Sequence, residues 1–382
     1  MLKKIYNTIF VILFLAILFT PLVLTKWESG GVSVDENRNL AKFPTLTAEG
    51  QFNPSFTGEF ETWFKDHMGL REEMITGNAL LQFYLFDRML DNSNYHIGPN
   101  GDLNYATEDM LLDYAHLNLR SEYWVDRLGG NFQIVNDYLA EQGIDFYYVQ
   151  CYDKHSIYPE QFTISVRQVG DVSKTDQIVT YLEEETSVNV ISMKKPLLEA
   201  KPQYDVFSSW GDPTHWSPRG AFVGYQYMME KINETQDQKV KILQEEDYLI
   251  EIKQGGIVVN NVLHRDDYFE HFTLKDPQAQ VQDNSVMGKW ADQYHIVWKN
   301  PNAGNDTKVL LLCDSYFANY IAADIAESYG EVWLIWADYI GDLPDILEIY
   351  DADIVIFECA ERVDRVHSVD KLVTDRLKKP EE

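Results

Sequence analysis

Cysteine is scarce: three in 382 residues, Cys151, Cys313 and Cys359. No two of them have metal-ligand spacing, and each sits in or beside an apolar run. They read as buried small side chains rather than a disulfide framework or a thiolate metal centre. Basic residues are also few. Lys and Arg number 32 against 61 Asp and Glu, a formal net charge of −29. A surface that acidic repels phosphate backbones, which argues against nucleic acid as a partner, and it disfavours lying flat on anionic lipid. Internal repeats and low-complexity tracts are absent as well.

Long uncharged runs are missing with one exception. Ile5 to Thr25 is 21 residues without a charge, preceded by Lys3 and Lys4 and followed by Lys26. The length suits a membrane span. The leading lysines favour a cytoplasmic N-terminus. A cleavable signal has a shorter apolar region and a small-x-small site, and Leu22-Val-Leu-Thr-Lys26 is a poor one. The expectation is a single-pass signal anchor over residues 1–26 in the cell membrane, with the rest extracytoplasmic. A cleaved signal is the alternative.

What remains has the makings of a large core. Hydrophobic residues make up 45% and aromatics 13%, enough for one large domain or two modest ones. Residues 27–100 read as a turn-rich leader followed by a helix over Phe60–Asp91. From residue 101 helices and strands alternate. Tyr123–Gln142 is an amphipathic helix closed by Gly143. Ile144–Val149 and Val188–Ile191 are short apolar strands. Pro218–Asn233 is a helix with Ser217 as its cap. Residues 240–308 read as an irregular β-rich insertion, in which Tyr248–Val259 has the look of a hairpin. The end of the chain is βαβαβ: strands at Val309–Asp314, Glu331–Ala337 and Asp353–Cys359, helices at Ser315–Tyr329 and Leu343–Tyr350. Buried continuous apolar runs of this kind belong to a parallel sheet. The catalytic domain would span 101–376, leaving 377–382 as a tail.

Two stretches carry chemistry. Leu310-Leu-Leu-Cys-Asp314-Ser315 is a strand that stops at Asp-Ser and becomes helical. In an open parallel sheet, ligands bind where strands end. Asp212-Pro-Thr-His215-Trp216 sets an acid and an imidazole three positions apart, in a loop held by Gly211, Pro213 and Pro218. The acid can turn back and fix the imidazole tautomer, leaving the other ring nitrogen for Ser315. Alone, Asp-Ser is more often a helix cap, and a loop histidine more often a surface residue. His264-Arg-Asp266-Asp267-Tyr-Phe-Glu270-His271 has metal-ligand types but reads better as a solvated acidic loop. No metal and no cofactor are implied.

Further motifs run in order along the chain. They are Glu36-Asn-Arg38-Asn-Leu40-Ala-Lys-Phe43-Pro44, Trp63-Phe64-Lys-Asp66-His-Met-Gly69-Leu-Arg71, Gly98-Pro-Asn-Gly101-Asp-Leu103 and Tyr152-Asp-Lys154-His-Ser-Ile-Tyr158-Pro159. Then come Thr214-His215-Trp216-Ser-Pro-Arg-Gly220, Asp314-Ser315-Tyr316 and Glu361-Arg362. Together they resemble the SGNH-hydrolase-like superfamily, in the branch of the alginate O-acetyltransferases and the DHHW-motif proteins, over about residues 35 to 365. The order, acid and histidine before serine, fits that branch. Two positions depart from it. Pro213 stands where the branch often has its acid, so Asp212 takes that role, and Cys313 stands where glycine usually precedes Asp-Ser.

The resemblance implies a three-layer α/β/α fold with a parallel sheet. It implies Ser315 as nucleophile, His215 as base and Asp212 as acid. Trp216, Tyr316, Asn319 and Arg362 are the candidate substrate-binding residues. Asn319 and the Ser315 N–H are also candidates for holding an oxyanion, and Arg362 could instead order a carboxylate or pair with Glu361. The implied activity is O-acetylation of an extracellular or cell-wall polysaccharide, with a membrane-bound O-acyltransferase as acetyl donor. A carbohydrate esterase with the same triad, or a non-catalytic polysaccharide-binding protein, is the alternative.

Overall fold

The structure, a computed structural model, describes residues 2–27, 30–33, 38–48, 50–86, 88–89, 94–162, 166–255, 258–259, 263–264, 266–363 and 365–378. Contacts divide the chain into two compact units, Met1–Asn92 with Ile257–Arg265, and Ser93–Gly256 with Asp266–Glu382.

The first unit begins with a helix over Leu2–Val23, of which Lys4–Val23 is long and apolar enough to cross a membrane. The expected single helix from Phe60 is two, Phe56–His67 and Arg71–Phe86. The chain breaks between them because Gly69 lies against Leu24, where a Cβ would come within 2.5 Å, and Leu70 is left-handed at φ 58°. Trp63 is fully buried among Trp27, Phe43 and Phe60. Asp66 accepts the Ala41 N–H at 2.7 Å. The ring nitrogens of His67 lie 2.9 Å and 3.1 Å from the carbonyls of Trp63 and Gly30. The Trp-Phe-Lys-Asp-His motif therefore orders its own leader. Glu36, Asn37 and Asp91 lie outside the described residues.

The second unit is built on a seven-stranded sheet. Its strands are β1 (Asp145–Cys151), β2 (Asn189–Ser192), β3 (Gln280–Gln282), β4 (Ile296–Lys299), β5 (Lys308–Cys313), β6 (Glu331–Trp336) and β7 (Ile354–Ala360). The order is β3-β4-β6-β5-β7-β1-β2. The five strands from β6 to β2 are parallel, while β3 and β4 add to the β6 edge in antiparallel fashion. The sheet is thus mixed rather than wholly parallel, and part of the 240–308 region belongs to it. The other part holds strand Tyr248–Gly255. Its partner is Asp267–Leu274, where the sequence pattern had suggested the residues just beyond Gly255.

The pleat sends alternate residues of each central strand to opposite faces. Val309, Leu311 and Cys313 face one core, with Tyr147, Val149 and Ile356; Leu310 and Leu312 face the other, with Phe146, Tyr148 and Phe357. Helix α3 (Pro218–Thr235) covers the first face through Phe222, Tyr225, Met228 and Ile232. Helices α1 (Glu122–Ala140) and α2 (Lys174–Glu185) cover the second through Leu128, Phe132, Leu139, Ile178 and Leu182. These are the three layers. All three cysteines are buried.

The expected long helix after Ser315 is two short ones, α4 (Ser315–Tyr320) and α5 (Ala322–Ala326), broken at Ile321. Gly98 and Gly101 form the tip of a hairpin between Tyr95–Ile97 and Leu103–Tyr105. Gly98 is packed so closely on the Gln161 carbonyl that no side chain would fit.

Candidate active site

Ser315 is the second residue after β5 and the first of α4, at the carboxyl end of the sheet's central strand. The strand reaches it without a left-handed residue. Asp314 is extended (φ −106°, ψ −163°), so Cys313 fills the place of a glycine without penalty. Asp314 is wholly engaged. One carboxylate oxygen caps the Tyr316 N–H at 2.9 Å; the other takes the Ala360 N–H at 2.8 Å and Arg365 at 3.0 Å. Its own N–H donates to Glu358 at 2.8 Å. Burial and the Asp314 charge push the Glu358 carboxyl far up. The Asp314-Ser315 turn is thus riveted to the end of β7.

His215 arrives from the loop before α3. Its Nε2 lies 2.8 Å from Ser315 Oγ and its Nδ1 2.8 Å from Asp212 Oδ2. Asp212 can only accept, so Nδ1 carries the proton and Nε2 is the acceptor for the serine hydroxyl. Sequence places Ser315 a hundred residues from His215; the fold brings them into hydrogen-bond contact. Asp212 also accepts from the Thr214 hydroxyl (2.6 Å), the Thr214 N–H (2.8 Å) and the Tyr320 hydroxyl (2.9 Å). Burial works against its charge, but the His215 and Thr214 bonds outweigh it and hold the carboxyl well below its usual range. The loop is fixed in turn by Asp267, whose Oδ2 accepts the N–H groups of Trp210 (3.0 Å) and Gly211 (2.6 Å).

The four candidate substrate residues fare differently. Trp216 is fully buried, stacked on Phe317 at 6.2 Å with Gly224 beneath it. It is a core residue, not a sugar platform. Tyr316 is also fully buried. Its ring packs edge-on to His215, and its hydroxyl donates to Asp153 at 2.8 Å. It orients the site and faces no ligand. Arg362 is 13% exposed and ion-pairs with Asp153, not with Glu361. It donates to the Thr214 carbonyl at 2.6 Å and brings Nη2 to 3.4 Å from His215 Nε2. Asn319 is exposed, one helical turn beyond Ser315. Trp210 is buried, with its indole N–H on the Gly101 carbonyl at 3.0 Å.

Three residues escape the sequence reading: Tyr320, Thr214 and Asp153. Tyr320 and Thr214 touch Asp212, and Asp153 anchors Arg362. Nothing in spacing marks Tyr320. Thr214 and Asp153 stand inside motifs already noted, so adjacency to an acid or a histidine was the available signal.

Among its described residues the acidic loop offers no ligand set. Asp267 braces the Asp212 loop, Glu270 pairs with Arg219, and the His264 side chain lies outside the described residues. Among the described residues one buried group has donors suited to a cation: Asp113, His155 and Glu361, with ligand atoms within 4.8 Å of one another. The imidazole itself lies between the carboxylates, at 3.3 Å and 3.6 Å. Burial opposes its charge, but Glu361 and Asp113 raise its pKa. Glu361 also accepts the Asp153 N–H (2.9 Å) and the Ser156 hydroxyl (2.8 Å). The cluster thereby sets the loop that carries Asp153, and through it Arg362.

Comparison with known proteins agrees with the geometry. Residues 126–287 match the family model of the SGNH hydrolase-like domain of the acetyltransferase AlgX. No curated protein matches the sequence. Among solved structures, Bacillus cereus PatB1 superposes with a TM-score of 0.53 at 17% identity, over 72% of this chain and 99% of that one. PatB1 with a sulfonyl adduct gives 0.50 at 18% identity, over 68% and 94%. The O-acetyltransferase domain of Pseudomonas putida AlgJ gives 0.46 at 13% identity, over 74% and 99%. Over residues 126–287 the chain is similar to the acetyltransferase family that the motifs pointed to, and the PatB1 superpositions share the fold.

Proposed function

We propose that the protein is a serine O-acetyltransferase that moves an acetyl group through a Ser315 ester onto hydroxyls of an extracellular or cell-wall polysaccharide. The observation that carries this reading is the unbroken relay Ser315 Oγ–His215–Asp212, each link at 2.8 Å. The match to the acetyltransferase AlgX domain supports acetyl as the transferred group.

In the first half-reaction His215 Nε2 takes the Ser315 proton as Oγ attacks the acetyl carbonyl. The tetrahedral intermediate collapses, the donor oxygen leaves with the proton from His215, and the acetyl-serine ester remains. In the second, His215 takes the proton of a sugar hydroxyl, which attacks the ester carbonyl. Ser315 leaves and regains its proton. Atoms balance with no cofactor. Asp212 stays ionised throughout, since its partners hold its pKa low. It steadies the imidazolium that forms twice per cycle.

The apolar N-terminal helix favours a single-pass anchor with the second unit outside the cytoplasm. Acetyl-CoA is not at hand there, so the donor would be acetyl handed across by a membrane-bound O-acyltransferase. The test is acetyl transfer from a chromogenic acetyl ester to an oligosaccharide, followed by mass spectrometry. Wild type should yield acetylated sugar and a trapped acetyl-Ser315 peptide, and Ser315→Ala neither. Hydrolysis of the donor without any sugar product would make the protein an esterase. Failure of wild type to acylate would sink the enzymatic reading.

A further inference from the structure

A cleft of about 460 Å³ opens beside the triad, within the range of ligand pockets, about 300–1,000 Å³. Tyr320 joins the two. Its ring lines the cleft and packs on the His215 ring at 5.7 Å between centroids, while its hydroxyl holds Asp212. Asn319 lines the same cleft from α4, on the helix face that presents Ser315, because residues four apart lie one above the other. The opposite wall comes from strand Asp267–Leu274, through Phe272 and Thr273.

The chemistry of this lining is specific. Its walls are apolar and aromatic, with Phe222 and Phe272 stacked at 5.0 Å. No lysine or arginine contributes to it, and its one imidazole is His271. Arg219, whose guanidinium lies over the Phe272 ring, is 6% exposed and paired with Glu270 and Glu245, so it offers no free charge. The cleft does contain a carboxyl, Asp324, facing the buried Tyr248 hydroxyl. Burial raises the Asp324 pKa to about 7. Around this cleft the whole chain carries a net charge of −29.

Resting on the acetyltransferase reading, we infer that this cleft is the acceptor subsite and that it takes an uncharged glycan, not a polyuronate. A polyuronate carries a carboxylate on each sugar. It would meet an acidic protein, an acidic side chain in the cleft and no lysine or arginine to pair with, each of which opposes its approach. A neutral sugar instead lays its C–H face on the apolar wall and turns hydroxyls to Asn319 and Asp324. That arrangement also brings a ring hydroxyl past Tyr320 toward His215 Nε2.

The experiment uses the full chain in detergent with para-nitrophenyl acetate as donor. The acceptors are a neutral β-gluco-oligosaccharide and an oligomannuronate of equal length. Nitrophenolate release without acceptor reads Ser315 acylation by itself, so its loss would count against the acetyltransferase reading and is scored separately. The expected result is acetylated neutral oligomer, with the oligomannuronate at least about ten-fold poorer in kcat/KM. Asn319→Ala should raise the neutral acceptor KM about five-fold, the worth of one hydrogen bond. Thr273→Lys, at an exposed position in the cleft wall, should narrow the preference for the neutral acceptor. Equal or better use of the oligomannuronate would overturn the inference. So would an acylating enzyme that uses neither acceptor, or an acceptor KM indifferent to both substitutions.

Discussion

The Tyr320 hydroxyl donates to Asp212 at 2.9 Å, to the same carboxylate oxygen that holds His215 Nδ1. Tyr320 therefore shares Asp212 with His215, and its own pKa is pushed up by burial and by the Asp212 charge. Removing the hydroxyl while keeping the ring isolates that bond. Tyr320→Phe should lower kcat for donor hydrolysis about five-fold with an unchanged melting temperature. An unchanged kcat would mean that Thr214 and His215 suffice to place Asp212.

Asp212→Asn keeps the shape but can donate to Nδ1, which favours the wrong imidazole tautomer. The expected loss in kcat is about 10,000-fold, with donor KM little changed. Steady-state kinetics and a near-native circular dichroism spectrum together check this. A loss under about ten-fold would remove Asp212 from the relay.

Arg362 acts through His215 and Asp153. A lysine at this position has no planar fork with which to hold Asp153 and the Thr214 carbonyl at once. Arg362→Lys should lower kcat about ten-fold while leaving donor KM within about two-fold. A KM effect without a kcat effect would show that Arg362 binds substrate directly.

Trp216 lies two residues before the start of α3 and invites a sugar-binding role, but its burial predicts otherwise. Trp216→Ala should cost about 3–5 kcal/mol of stability, seen as a large fall in melting temperature. A soluble, native-like variant with only a raised acceptor KM would contradict the core assignment.

Two carboxyls set opposite pH trends. Asp212 has a folded pKa below its unfolded value, so its contribution is present above about pH 4 and is lost as pH falls further. Asp324 is raised to about 7. Between its unfolded pKa, about 4, and that value the folded state binds more protons, so stability falls as pH rises. Asp324→Asn should remove this decline, on the order of 1–2 kcal/mol after allowance for its contact with solvent. Denaturant midpoints across pH 4–8 measure it. A wild-type slope retained in the variant would reject the assignment.

The sequence alone determined the linear features. Continuous apolar runs of strand length such as Val309–Cys313 fit strands buried on both faces, and an uncharged run of 21 residues has the length of a bilayer crossing. Asp212 and His215 lie close enough in sequence for local backbone to join them, so that pair was readable. Ser315 was readable as a strand-end serine, and as a nucleophile only in company with His215.

Tertiary structure decided everything that depends on which face a side chain meets. Trp216, Tyr316 and Arg362 look alike in sequence, as large groups flanking catalytic motifs. The fold buried the first in the core, turned the second onto Asp153 and aimed the third at His215. The same holds for the partner of Tyr248–Gly255, for the antiparallel edge of the sheet, and for Tyr320 and Asp153. Each is set by contacts between residues far apart in the chain. Local propensity carries no information about those contacts, because burial and long-range pairing are fixed only when the layers close over the sheet.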